Sequence, residues 1–384
     1  MSAATDLLVE LVRADTVAAH ESALADRCAA ILADAGMKGS LVDFEVGRSQ
    51  YVGRTGSGPP LTFTGHLDTV PATRSDWSVD PWAADADGDR LVGRGTSDMK
   101  SGVAALVVAV ASHVAACRDC RGVQVVLTSG EETGCDGALA LPSSALATGG
   151  ALVVAEPTLN RCVPAHKGVH WMRLTATGRA AHGSAPELGD NAAVRMARAA
   201  VALHDFDGWP QQDGFGSVTA NVGVLRSGVQ PNVVPDAAEL LLDVRTLPSA
   251  SGDDVVALVR SLAGEGVTVV DHVVLPPVDT PRNDPFLGLV ADALGAMGLD
   301  GTPAEPARFF TDASALIPLL TPSGSAPVPT VVLGPGEPDQ CHVADEWCSL
   351  ARVDEAVGVY AELLGRWCAG EDSHDGRTRN RGAP

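Results

Sequence analysis

The sequence predicts an α/β protein: a doubly wound, mostly parallel sheet with a smaller α+β sandwich inserted into it. Three observations lead there. Short apolar runs alternate with helical periodicity, those runs end in polar loops, and near His166 the texture switches to residue-by-residue alternation before the first pattern returns at Pro276.

Apolar residues recur at helical spacing over 7–35, which predicts two helices broken near 16–20. Residues 61–64 read as a short buried strand ending at Gly65-His66-Leu67-Asp68-Thr69-Val70-Pro71, and ligands of such sheets gather at strand ends of this kind. An Ala/Val-rich helix over 102–114 follows, then strands over 123–128 and 151–154, followed closely by Glu131-Glu132 and by Glu156. The inserted segment opens with alternation at Trp171, Arg173 and Thr175. A helix over 191–204, strands over 218–225 and 238–244, a helix over 253–263 and a strand near 267–273 complete a β-α-β-β-α-β order. Beyond Pro276 the pattern predicts a helix over 286–297, a strand over 330–333 and a closing helix over 353–367. The polar tail 371–384 is expected to be disordered. The domain boundaries are therefore expected at 1–165 with 276–370 for the larger body and 166–275 for the insertion.

At 384 residues, 45% hydrophobic and 20% charged, the chain suits a folded protein of about two domains. Forty-eight acidic against 27 basic residues give a formal charge of −21, which argues against nucleic acid and against anionic membranes as partners. The apolar run 103–114 is too short to span a bilayer. The eight cysteines are scattered and Met1 to Val12 lacks a basic leading segment, so a reduced, cytoplasmic setting is expected rather than a disulfide framework. The close pair Cys117 and Cys120 lacks the second pair that a zinc knuckle needs and reads as structural or incidental thiols.

Several acids and histidines sit where chemistry is expected. His66 and Asp68 stand two apart at a strand end, so both side chains point the same way, and a carboxylate on the second ring nitrogen would fix an imidazole for metal binding. The pair also reads as a simple turn. Asp98, in Gly93-Arg94-Gly95-Thr96-Ser97-Asp98-Met99-Lys100-Ser101-Gly102, is a candidate ligand or a helix N-cap. Glu131 and Glu132 either hold cations or form a solvated loop tip, and one could ligate while its neighbour takes a proton from water. Glu156 and His342 extend the set to two imidazoles and three carboxylates beside a free base, a donor mixture suited to a pair of Zn²⁺ ions. Such a pair polarises a carbonyl and lowers the pKa of water, as amide hydrolysis requires. Neither His-Glu-x-x-His, Gly-x-Ser-x-Gly nor a P-loop occurs in the chain, so the one-zinc protease, serine hydrolase and nucleotide-binding signatures are missing.

The ordered set of the Gly65–Pro71 and Gly93–Gly102 segments, Glu131-Glu132-Thr133-Gly134 and Glu156-Pro157-Thr158 resembles the family of acetylornithine deacetylase, succinyl-diaminopimelate desuccinylase, aminoacylase and carboxypeptidase G. The resemblance implies that His66 and Glu156 hold one zinc and Glu132 and His342 the other, with Asp98 bridging, Glu131 as general base and Asp68 orienting His66. Cobalt or manganese could substitute. It implies a cis peptide at Asp98-Met99. It also implies that the insertion is a lid and dimerisation domain, in which His182, within Gly178-Arg179-Ala180-Ala181-His182-Gly183-Ser184, reaches the partner subunit's active site to stabilise an oxyanion.

Asn232 and Arg245 resemble lid positions that bind the substrate, with a turn residue and an in-sheet ion pair as their respective alternatives. Where the desuccinylase branch has Gly-Gly-Thr-Ser-Asp, this chain has Phe309-Phe310-Thr311-Asp312-Ala313-Ser314. Thr311 is a substrate-binding candidate there. The two rings either line an acyl pocket, which disfavours a succinyl group, or are core. The expected activity is cleavage of a small N-acyl amino acid, with a dipeptidase or carboxypeptidase of the same family, or a non-catalytic metal-binding relative, as alternatives.

Overall fold

The computed structural model describes residues 2–17, 20–117, 120–250 and 252–369, so the tail expected to be disordered lies outside the described residues. The chain forms two compact units: Met1–Pro164 with Thr280–Ala304 and Thr311–Pro384, and Ala165–Asp279 with Glu305–Phe310.

The first unit is built on a six-stranded sheet in the order Lys38–Glu45, Arg48–Thr55, Arg121–Thr128, Ser57–His66, Ala151–Val154, Thr330–Val332. The last four strands are mutually parallel, and the first two form an antiparallel edge hairpin. The sheet is therefore mixed and largely parallel. The hairpin was not foreseen, because the outermost strand is exposed over most of its length and carries no apolar run. The parallel strands read clearly because both faces are covered: Leu61, Phe63, Val123, Val125 and Val153 are fully buried. Helices Ala3–Val12, Ser22–Asp34, Ser101–Ala116, Pro285–Ala296 and Leu350–Ala369 supply the rest of this core through Leu8, Leu32, Leu106, Val290 and Leu363. The stretch Thr96–Ala116 is long and apolar enough to cross a membrane, but 67% of it is buried, as a core helix should be.

The second unit carries a four-stranded antiparallel sheet in the order Thr219–Ser227, Ala237–Thr246, Gly168–Thr177, Val267–Leu275. Helices Ala192–His204 and Gly252–Ala263 pack on it through Met196, Leu203, Val255 and Val259 against Met172, Leu174, Leu240 and Leu242. Burial alternates along Ala237–Thr246, which is why the sequence pattern changed character here. This unit also takes in two stretches assigned from sequence to the larger body. Val278–Asp279 pairs with Ala165–His166, and Ala307 bridges to His166, so short backbone ladders that leave no sequence signal move the boundaries.

Candidate metal centre

The first unit gathers its acids and imidazoles at the ends of the parallel strands. His66 is the last residue of Ser57–His66, in register with Thr128, whose strand runs on into the Glu131-Glu132 loop. Asp98 lies in the loop leading into Ser101–Ala116, where Gly95 takes φ +81°, a conformation that favours glycine. The Asp98-Met99 peptide is cis. Glu156 follows Ala151–Val154. His342, itself at φ +64°, comes from the loop after Thr330–Val332.

Two groups of three donors result, and they share Asp98. In the first, His66 Nε2 lies 3.1 Å from Asp98 Oδ1 and 3.7 Å from Glu156 Oε1. In the second, His342 Nε2 lies 3.3 Å from Asp98 Oδ2 and 3.0 Å from Glu132 Oε2. Within each group the donor atoms lie no more than 4.8 Å apart.

The electrostatics say what this cluster needs. Burial, together with Glu156, Glu132 and Asp312, pushes the Glu131 carboxyl well above the ordinary carboxylate range despite the opposing charge on His66. Burial and the neighbouring Asp98 raise Glu132 as well and push Glu156 well above that range. Asp98 is held low, because hydrogen bonds from His342 and His66 outweigh the cost of its own burial. His342 is pushed up to about 10 by the Asp98 and Glu132 carboxylates it faces. A buried set of acids of this density has to be neutralised by protons or by bound cations, and nitrogen and oxygen donors in two triads fit a pair of borderline divalent cations.

Asp68 differs in detail from expectation. His66 Nδ1 meets the main-chain carbonyl of Asp68 at 3.0 Å, while the nearer carboxylate oxygen is 3.6 Å away. The carboxylate is instead engaged by the backbone N–H groups of Gly130, Glu131 and Glu132 at 2.8, 3.2 and 3.1 Å. One residue thus orients the histidine through its backbone and clamps the double-glutamate loop through its side chain. Thr311 is fully buried, and its hydroxyl accepts the Ala313 N–H at 3.1 Å at the start of the helix Ala313–Leu320.

Sequence reasoning missed Glu346. This fully buried carboxylate accepts from Gly95 N–H at 2.8 Å, Ser97 N–H at 2.8 Å, Asp98 N–H at 3.1 Å and Arg94 Nη1 at 2.7 Å. It holds the Asp98 loop from the segment that begins at His342. A lone acid beside Asp345 gives no pattern by which a single sequence could have revealed it. Buried Asp312, which accepts a hydrogen bond from the Thr128 hydroxyl, was likewise passed over as part of the departing motif.

The second unit contains the other three candidates. His182 is exposed, its Nδ1 lies 2.7 Å from Ser184 Oγ, and its backbone bridges to Val233. Gly183 donates its N–H to the Asn232 carbonyl at 2.8 Å, and a Cβ there would sit 3.0 Å from the Asn232 backbone, so a larger residue would have to push the two loops slightly apart. Arg245 pairs with Asp243 at 3.0 Å and lies over the Phe310 ring at 5.2 Å, the in-sheet ion pair that the sequence left open. Phe310 meets Trp171 edge-on at 6.2 Å; both phenylalanines are half-buried rather than core.

Comparison with known proteins agrees with this architecture. The chain is 30% identical over 351 residues to an acetylornithine deacetylase from Vibrio atlanticus, covering 87% of this chain and 89% of that one. It is 27% identical to a probable succinyl-diaminopimelate desuccinylase from Staphylococcus aureus, over 85% and 88% of the respective chains. The fold matches that of an M20 family metallo-carboxypeptidase from Sulfolobus solfataricus with a TM-score of 0.77 at 16% identity, covering 96% of this chain and 100% of the other. Residues 62–366 match peptidase family M20/M25/M40, and over that span, which takes in every donor of the two triads, the chain belongs to that family of hydrolases.

Proposed function

We propose that the protein hydrolyses the amide bond of a small N-acyl amino acid, with two divalent ions held by the two triads and Glu131 as general base. The observation that carries the reading is the sharing of Asp98 between two donor groups with a non-ligating, buried glutamate beside them. Bound there, two ions such as Zn²⁺ would supply Lewis-acid polarisation of the scissile carbonyl and a lower pKa for the attacking water. Glu131 takes the proton of that water and returns it to the departing amine. Asp68 fixes the loop that aims Glu131, through the three N–H groups it accepts. The similarity to an acetylornithine deacetylase supports a deacylase over a dipeptidase.

His182 as oxyanion donor, acting across a homodimer, and Asn232 and Arg245 as substrate contacts belong to the same proposal. The half-buried Phe309 and Phe310 favour a short acyl group or an apolar side chain over a succinyl group. The test is hydrolysis of N-acetylornithine, N-succinyl-diaminopimelate, N-acetylmethionine, N-acylglutamates and free dipeptides by metal-loaded and chelator-stripped protein. Metal-dependent cleavage of N-acyl amino acids supports the reading. Cleavage of free-amino dipeptides alone moves it to the peptidase branch, and no cleavage by protein of verified metal content rejects it. Mixed dimers of Glu131→Ala and His182→Ala subunits should recover part of the activity if the histidine acts on the partner.

A further inference from the structure

The cysteine pair set aside as structural or incidental in the sequence has company in three dimensions. Cys117 and Cys120 are joined by a disulfide, which corrects the expectation of thiols at that pair. Beside it, Cys368 Sγ lies 3.4 Å from His113 Nε2, although 255 residues separate them in sequence. His113 occupies the last turn of Ser101–Ala116, four residues before Cys117, and Cys368 the last turn of Leu350–Ala369. Trp367 ties the end of Leu350–Ala369 to the start of the strand Arg121–Thr128, which follows the cysteine pair: its indole N–H donates to the Gly122 carbonyl at 3.2 Å, and the Arg121 guanidinium stacks on its ring at 3.9 Å. The ligand atoms of His113, Cys120 and Cys368 all lie within 4.8 Å of one another.

The His113–Cys368 separation is close to that of a tetrahedral thiophilic site, and the remaining donors lie near enough to complete one. With Zn–N of about 2.0–2.1 Å and Zn–S of about 2.3 Å, a tetrahedron sets nitrogen and sulfur about 3.6 Å apart and two sulfurs about 3.8 Å apart. We propose that His113, Cys120 and Cys368, with Cys117 as the fourth ligand once its disulfide is reduced, form a second, structural metal site for Zn²⁺, separate from the catalytic triads. The second half of the knuckle, which the sequence lacks as a Cys-x-x-Cys pair, comes from two helix ends instead.

The chemistry balances with an external dithiol. It passes two electrons and two protons to the Cys117–Cys120 bond, is itself oxidised to a disulfide, and leaves two thiols; each cysteine sulfur then releases its proton to solvent on binding the ion. Occupancy therefore depends on redox state. Bound metal would fasten the C-terminal helix to the helix that starts beside the Asp98 loop.

The test uses the full-length protein, oxidised or reduced with a phosphine that is then removed, titrated with Co²⁺ without oxygen. The reduced wild-type protein is expected to bind three ions and to develop an intense near-ultraviolet thiolate-to-cobalt absorption, which the nitrogen and oxygen donors of the catalytic triads cannot produce. The oxidised protein should bind two ions and show no such band. Cys368→Ser and Cys120→Ser should each lose the third ion and most of the band while amide hydrolysis is kept. His113→Asn, which leaves every sulfur in place, should weaken the third ion at least tenfold and shift the visible cobalt bands. Absence of the band in reduced wild-type protein, or a band unchanged in Cys368→Ser, overturns the proposal. Because the signal reports sulfur ligation and not turnover, its failure leaves the hydrolase reading untouched.

Discussion

Replacing Glu346 by glutamine changes one carboxylate oxygen into an NH₂ at a place where only donors converge. One oxygen accepts from Ser97 and Asp98 N–H, the other from Gly95 N–H and Arg94. Whichever way the amide turns, two donors face another donor, and the buried Arg94 guanidinium loses its counter-charge. Two hydrogen bonds to a charged acceptor, at about 1.5–3 kcal/mol each, agree with the roughly 3–5 kcal/mol cost of breaking a buried ion pair. The strain falls on the loop that presents Asp98 to both triads, so zinc affinity should drop by roughly 10–100-fold, as when a ligand's outer support is removed. Scanning calorimetry with and without zinc, and competition against a chromophoric chelator, measure the two effects. A Glu346→Gln protein with wild-type zinc affinity and wild-type melting temperature would refute the argument that this carboxylate builds the site.

Other consequences follow from the same geometry. Glu131→Gln should keep both ions and lower kcat by about 10²–10⁴-fold, the usual worth of a general base, as read by metal analysis beside steady-state kinetics. His342→Ala removes the only nitrogen of the second triad and should leave one ion per chain; losing several kcal/mol of electrophilic stabilisation cuts activity at least about 100-fold. Burial in the second unit holds His166 down to about 4, from an ordinary value of 6.5. Because the unfolded chain takes the proton first, this contribution to stability is present above pH 6.5 and is lost as pH falls through 4, amounting to about 3 kcal/mol. Melting curves of the wild type and His166→Asn across that window should converge towards acid pH; parallel curves would exclude the effect.

Much of this architecture is legible in the sequence. The parallel strands announced themselves because burial on both faces demands unbroken apolar runs, and the donors announced themselves because each follows such a run. Lys38–Glu45, exposed along most of its length, and the two-residue ladder between Ala165–His166 and Val278–Asp279 left no such trace, which is why the edge hairpin and the unit boundaries were missed. The finer parts of the centre were hidden for a different reason. Glu346, the loop-clamping carboxylate of Asp68 and the hydroxyl of Thr311 act on backbone N–H groups, and a backbone partner has no identity in a sequence. Arg245 shows the same limit for side chains, since Asp243 lies two residues away on the same strand face and pairing was already one of the readings.

The most direct test of the central claim is to strip the oxidised protein with a chelator, return zinc stepwise, and follow hydrolysis of the best N-acyl amino acid beside the zinc bound per chain. Activity should be absent without metal and climb with occupancy to a plateau at two ions, with both the second ion and that plateau lost in His342→Ala. Full turnover by the stripped protein, or a plateau unchanged in that variant, would contradict it.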